Sequence, residues 1–155
     1  TALLSLLSGE ALEDLPVWEA LAVLLIFILL GIAFDMIGLA VTTADMAAFN
    51  AMAAKKDPVG KRAVWLIANA EKVSSFCNDI VGDICGVVSG ASAASIAVVL
   101  FSNLDPELAF WLTLSLTALV SSVTVGGKAL GKTFAMKSST KVVYFVGRVM
   151  SIFHR

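Results

Sequence analysis

Asp35, Asp79, Asp83 and Lys128 stand inside or at the edge of long apolar runs. A charge at bilayer depth costs about 2.5–3.5 kcal/mol on insertion scales, so each of these residues needs a partner or a task. Asp79 and Asp83 are four apart, a spacing that puts both carboxylates on one face of an α-helix. Two anions held side by side repel, so a proton or a cation should accompany them. Two chemistries follow. In one, Asp79, Asp83 and the hydroxyls of Ser121 and Ser122 form a candidate metal site. In the other, the Lys128 ammonium stands in for the ion and pairs with Asp83 or Asp79. Each residue also has a plainer reading. Asp35 is then an interfacial residue bonded to backbone, Asp79 marks the water boundary, and Lys128 is a topology anchor. Ser121, Ser122 and Thr124 then bond back to helix carbonyls.

Nothing else in the sequence suggests catalysis. There is no Ser–His–Asp set, no phosphate-cradling glycine loop and no metalloprotease helix, so an enzyme is not expected. Cys77 and Cys85, eight apart, match no zinc or redox spacing and read as small packing residues. His154 reads as a surface residue.

The elements that must position these groups are membrane helices. Of the 155 residues 59% are hydrophobic, against ~45–50% apolar in ordinary globular domains. The excess is gathered into runs of the ~20 residues a bilayer requires. "VWEALAVLLIFILLGIAFDMIGLAV" (17–41) is span one, "IVGDICGVVSGASAASIAVVLF" (80–101) span two and "LAFWLTLSLTALVSSVTV" (108–125) span three. Pro16, Pro58 and Pro106 all fall outside them, where helices start or break. The opening "TALLSLLSGEALEDLP" lacks a basic n-region and runs into acids, so it does not read as a cleavable signal.

The charges are segregated. All 11 Lys and Arg residues lie either between spans one and two (Lys55, Lys56, Lys61, Arg62, Lys72) or after span three (Lys128, Lys132, Lys137, Lys141, Arg148, Arg155). The N-terminal segment and "SNLDPE" between spans two and three carry acids only. The positive-inside rule then puts the N-terminus outside and the C-terminus in the cytoplasm. The net charge of -1 averages over this segregation and is uninformative about nucleic acid; no nucleic-acid partner is expected.

The resulting expectation is an all-α integral membrane protein forming a single membrane domain in the plasma membrane. Residues 1–16 are extracytoplasmic, three transmembrane helices follow at the positions above, and 43–78 form a cytoplasmic helix pair. That pair is "TTADMAAFNAMAAKK" and the helix restarting at "DPVGKRAVWLIANAEKVSSF", with Val59, Ala63, Leu66, Ala70 and Val73 along one side. Residues 139–155 form an amphipathic juxtamembrane helix. There Val142, Phe145, Val146, Val149, Met150 and Phe153 make an apolar stripe with Lys141, Arg148 and Arg155 off it. In span two Gly82, Gly86 and Gly90 recur every four residues beside Ser89, Ala93 and Ala97. Such small residues let helix backbones approach closely in lipid, within the chain or across a dimer.

Taken together, the pattern resembles the transmembrane domain of the cyclin-M/CorC magnesium transporters, over roughly residues 21–153. "FDMIGLAVTTADMAAFNAMAAKKDPVGKRAVWLIANAEKV" is similar to that family's segment after its first span, with Asn69-Ala70-Glu71-Lys72 at its Asn-Pro-Glu-Arg-like turn. "GDICGVVSGA" is similar to the Gly-Asn stretch of its second span, with Asp83 at the Asn. "GKALGKTFAMKSSTKVVYF" looks like its Gly-Glu-x-x-Pro-Lys-x-x-Ala segment: Gly127, Lys132, Thr133 and Ala135 match, Lys128 takes the Glu position and Gly131 the Pro position. The resemblance implies a homodimer with Mg²⁺ held between the spans by oxygen groups of these segments. The departures are that the family's Ser and Glu near Asp35 to Leu39 fall on or near Ile37 and Gly38, and that its third acid is Lys128. Two functions follow: a divergent divalent-cation transport domain, or a non-transporting membrane subunit that uses the same fold to hold a partner.

Overall fold

The prolines and aspartates that punctuate the sequence mark helix starts. The structure, a computed structural model, describes residues 16–153; the expected extracytoplasmic segment, save Pro16, lies outside them, as do His154 and Arg155. The chain is helical throughout, with no strand among the described residues. Helix α1 runs Val17–Thr43, α2 Met46–Ala54, α3 Pro58–Ala68 and α4 Ala70–Ser75. A π-helical segment, Phe76–Val81, leads without a break into α5, Gly82–Phe101. Helix α6 spans Pro106–Lys137 and α7 Ser139–Phe153. Three of these stretches, Val17–Thr43, Ala70–Phe101 and Pro106–Lys137, are long and apolar enough to cross a membrane.

Local chemistry explains the boundaries. Asp45 caps α2 by accepting from the Ala47 N–H at 2.9 Å, and Asp57 caps α3 by accepting from the Val59 N–H at 2.9 Å. Pro58 opens α3 at a position whose N–H has no intrahelical partner. Between α2 and α3, Lys56 adopts φ 62°, the left-handed conformation common just past a helix C-terminus. Asn69 ends α3, and its side-chain amide donates to the Trp65 carbonyl at 2.9 Å.

The chain divides into two compact units. The first comprises described residues up to Ile32 together with 82–127. Its core is a stripe on α1, Ala20, Leu24 and Ile28, packed on Ala93 and Ile96 of α5. The α1 residues recur every four positions, one face of a helix. Small α5 residues, Ser89, Ser92, Ala93 and Ala97, are all buried, and the Ser92 hydroxyl donates to its own helix at the Val88 carbonyl, 2.7 Å away. Close contact through small side chains is how helices associate where lipid removes the hydrophobic drive. Helix α6 contributes little to burial: only Gly131 and Ala135 are buried along it, both beyond its apolar run.

The second unit comprises residues 33–81 and those from Lys128 onward. Five helices supply its core residues: Ala40 and Val41 on α1, Phe49 on α2, Ala63 and Leu66 on α3, Ala135 on α6, and Val143 on α7. Helix α3 packs on both α2 and α7. Gly60 permits the first contact. A β-carbon there would lie 2.7 Å from the Met52 β-carbon and 2.7 Å from the Ala53 nitrogen. The apolar helical period foresaw Ala63 and Leu66 inside; Trp65, beside them in sequence, stays half-exposed.

Candidate functional site

The second unit holds two buried oxygens without a hydrogen-bond partner, one on α1 beside an ammonium near the end of α6 and one on the π segment. Asp35 lies on α1 with its side chain 8% exposed, and the Lys132 ammonium on α6 stands 3.6 Å from its Oδ2. It is the one ion pair among the described residues. The distance exceeds the ~2.7–2.9 Å of a charge-assisted hydrogen bond, and Asp35 Oδ2 has no hydrogen-bond donor. Lys132 is anchored at one end only, its side chain 53% exposed.

One helical turn along α1, Gly38 is overlain by Asn78 of the π segment. A β-carbon at Gly38 would fall 2.5 Å from Asn78 Oδ1. The Asn78 amide nitrogen donates to the Ser74 hydroxyl at 3.2 Å. Its oxygen is buried and accepts nothing. Buried polar atoms are nearly always partnered, so two orphaned oxygens, one on α1 and one on the π segment, call for an explanation. A π turn is a further mark, since these insertions concentrate where a side chain must be re-aimed. Here the insertion carries Asn78.

A buried carboxylate calls for positive charge, and here it has one half-exposed ammonium beside it. A hard cation takes oxygen ligands, and Mg²⁺ in particular uses one or two protein groups while keeping several waters. The donor set fits that habit rather than an all-protein cage; among the described residues no group of three or more His, Cys, Asp or Glu is placed to hold a metal.

The residues singled out from sequence are distributed differently. Asp79 is exposed in the π segment and accepts from the Ser75 hydroxyl at 2.6 Å. Asp83, Ser121 and Ser122 belong to the first unit, all exposed, and Ser122 donates to the Ala118 carbonyl at 2.8 Å. Thr124 likewise donates to the Val120 carbonyl at 2.8 Å. The i,i+4 argument for Asp79 and Asp83 presumes α-helical phase, and Asp79 sits in a π segment, whose wider turn changes that phase. Lys128 is half-buried in the second unit and pairs with no carboxylate there; Lys132, four residues on, does. Gly82 is buried, whereas β-carbons at Gly86 and Gly90 would meet nothing within 4 Å. Asn78 and the pairing of Lys132 were missed. The available signal was an amide directly before Asp79 inside an apolar run.

Comparison with protein-family models, with curated proteins and with solved structures finds no match to this chain.

Proposed function

We propose that this chain is a membrane domain of divalent-cation-transporter type, with Mg²⁺ as the substrate its oxygens suit, in which Lys132 is a tethered competitor for the ion. The observation that carries the reading is the buried Asp35 carboxylate with its half-exposed ammonium 3.6 Å away. The unpartnered Asn78 oxygen supports it, because an ammonium satisfies the charge of Asp35 and leaves that second acceptor unfilled. On this reading a partly hydrated Mg²⁺ is held by Asp35 and the Asn78 amide oxygen, and Lys132 swings to water to admit it. The likeness to the cyclin-M/CorC membrane domain supports the same class. The segregated lysines and arginines support a plasma-membrane topology with the N-terminus outside and α2, α3 and α7 on the cytoplasmic side. The open Gly86 and Gly90 face supports a homodimer.

Mg²⁺ uptake into proteoliposomes tests the proposal. Wild-type protein should move Mg²⁺ above the empty-vesicle rate. Lys132→Gln should lower the half-saturating concentration by removing the competitor, and Asp35→Asn should abolish flux. Absence of flux in both wild type and Lys132→Gln would leave the second reading, a non-transporting subunit with a permanent internal cation.

A further inference from the structure

The helix that closes the second unit offers a separate site. A groove of about 300 Å³ opens between α1 and α7. Ala33, Met36 and Ile37 form one wall, Val142, Phe145 and Val146 the other, and Lys141 is the one charged residue lining it. The volume sits at the lower end of the ~300–1,000 Å³ typical of small-molecule sites. Apart from that lysine the lining is hydrocarbon, so the occupant is an apolar chain with an anionic head.

Three observations identify it. The exposed apolar residues of α7 continue the groove outward: Phe145 is 67% and Ile152 69% exposed, with Val149 between them in sequence. A side-lying helix with this composition buries such residues among acyl chains. The charge is also one-signed. Residues 128–153 contain Lys128, Lys132, Lys137, Lys141 and Arg148 and no Asp or Glu. Finally, the same chain carries three stretches of membrane-spanning length and apolarity, so bilayer lipid is the apolar ligand at hand.

We infer that the α1–α7 groove holds one acyl chain of an anionic glycerophospholipid, with the lipid phosphate bound by Lys141. The groove supplies depth and shape, and the lysine supplies headgroup selection. Arg148, two turns along from Lys141 on α7 and also exposed, adds to the positive surface facing the headgroup layer.

The test is native mass spectrometry of the full chain released from mixed bilayers of phosphatidylglycerol and phosphatidylcholine with identical acyl chains. A diazirine-bearing acyl chain on each lipid locates the contact. Wild type should retain one phosphatidylglycerol and crosslink at Met36, Val142 or Val146. Lys141→Gln should reduce the preference for phosphatidylglycerol about fivefold, the worth of one lysine at a membrane surface, while crosslinking to the groove persists. Val146→Trp should fill the groove and remove crosslinking with both lipids. Ala33→Phe fills it from the opposite wall and serves if Val146→Trp does not fold. The inference is overturned if Lys141→Gln leaves the lipid ratio unchanged or if the lipid crosslinks fall outside the groove.

Discussion

Replacing Lys132 by Met should cost more stability than replacing Asp35 by Asn, and the structure gives the reason for the asymmetry. At 3.6 Å the gross attraction is about 5 kcal/mol with an effective dielectric near 20. Most of that is offset by desolvation of the carboxylate. The net value lies between the ~0.2–1 kcal/mol of exposed pairs and the ~3–5 kcal/mol lost on breaking a buried one. The two partners are not equally placed. Asp35 is 8% exposed and has no other donor at Oδ2, whereas the Lys132 side chain is 53% exposed. Lys132→Met therefore strands a buried carboxylate and should cost about 2 kcal/mol. Asp35→Asn frees an ammonium that water can reach, and should cost less than about 1 kcal/mol. Adding Asp35→Asn to Lys132→Met should recover most of the loss. The assay is unfolding in mild detergent with chelator present, run as a double-mutant cycle. Chelator matters because an ion that enters the vacated position would stabilise the variant by mass action. Equal costs for the two single variants, or additivity within about 0.3 kcal/mol, would refute the pairing as described.

Gly60→Ala should destabilise the second unit by about 1–3 kcal/mol, read by the same unfolding assay, because its β-carbon collides with α2 at backbone as well as side chain. Phe49→Ala should cost about 3 kcal/mol or more, since Phe49 is 1% exposed at the centre of that core. Cysteine labelling of intact cells should reach position 103 from outside and fail at position 56, and the reverse would overturn the assigned topology. A β-carbon at Gly86 or Gly90 meets nothing within 4 Å, so Leu at either position should leave the fold intact and weaken disulfide or chemical crosslinking between copies; unchanged crosslinking would remove the small-residue face from the dimer proposal.

The fold class was legible because its determinants are repetitive. Runs of apolar residues of bilayer length, prolines at the starts and capping aspartates before Ala47 and Val59 each announce an element without tertiary information. Lengths were less legible. Span three ends in hydropathy at Val125, yet α6 continues to Lys137, since Gly126 and Gly127 weaken a helix without stopping it. The π segment was not legible at all. Its sequence, FCNDIV, has no proline or glycine to mark an irregular turn.

The polar site follows from that difference. Asp35 was recognisable as a charge that needed a partner, because burial of a lone carboxylate is costly wherever it occurs. Depth selected Lys128 as the compensating cation, but for Asp83 or Asp79, and Asp35 was given no lysine of its own. Depth along a helix is shared by every residue of the same turn, whereas azimuth separates them. Lys128 and Lys132 differ by four residues and so lie on nearly one face, about 6 Å apart along the axis. A choice between them turns on that single step of rise, below what hydropathy boundaries resolve. Asn78 was harder still, because nothing in the sequence announces the π segment that carries it against Gly38. A regular α-helix through Phe76–Val81 should set Asn78 at a different azimuth relative to Gly38. Variants that remove the π insertion, for example by deleting one residue between Phe76 and Val81, should therefore lose cation-dependent stabilisation even though Asp35 and Lys132 are untouched. Thermal unfolding of such a deletion with Mg²⁺ and with chelator checks this, using Lys132→Gln as the background in which ion binding is strongest. Retained stabilisation by Mg²⁺ in the deletion would mean that Asp35 alone suffices and that the Asn78 oxygen is no part of the site.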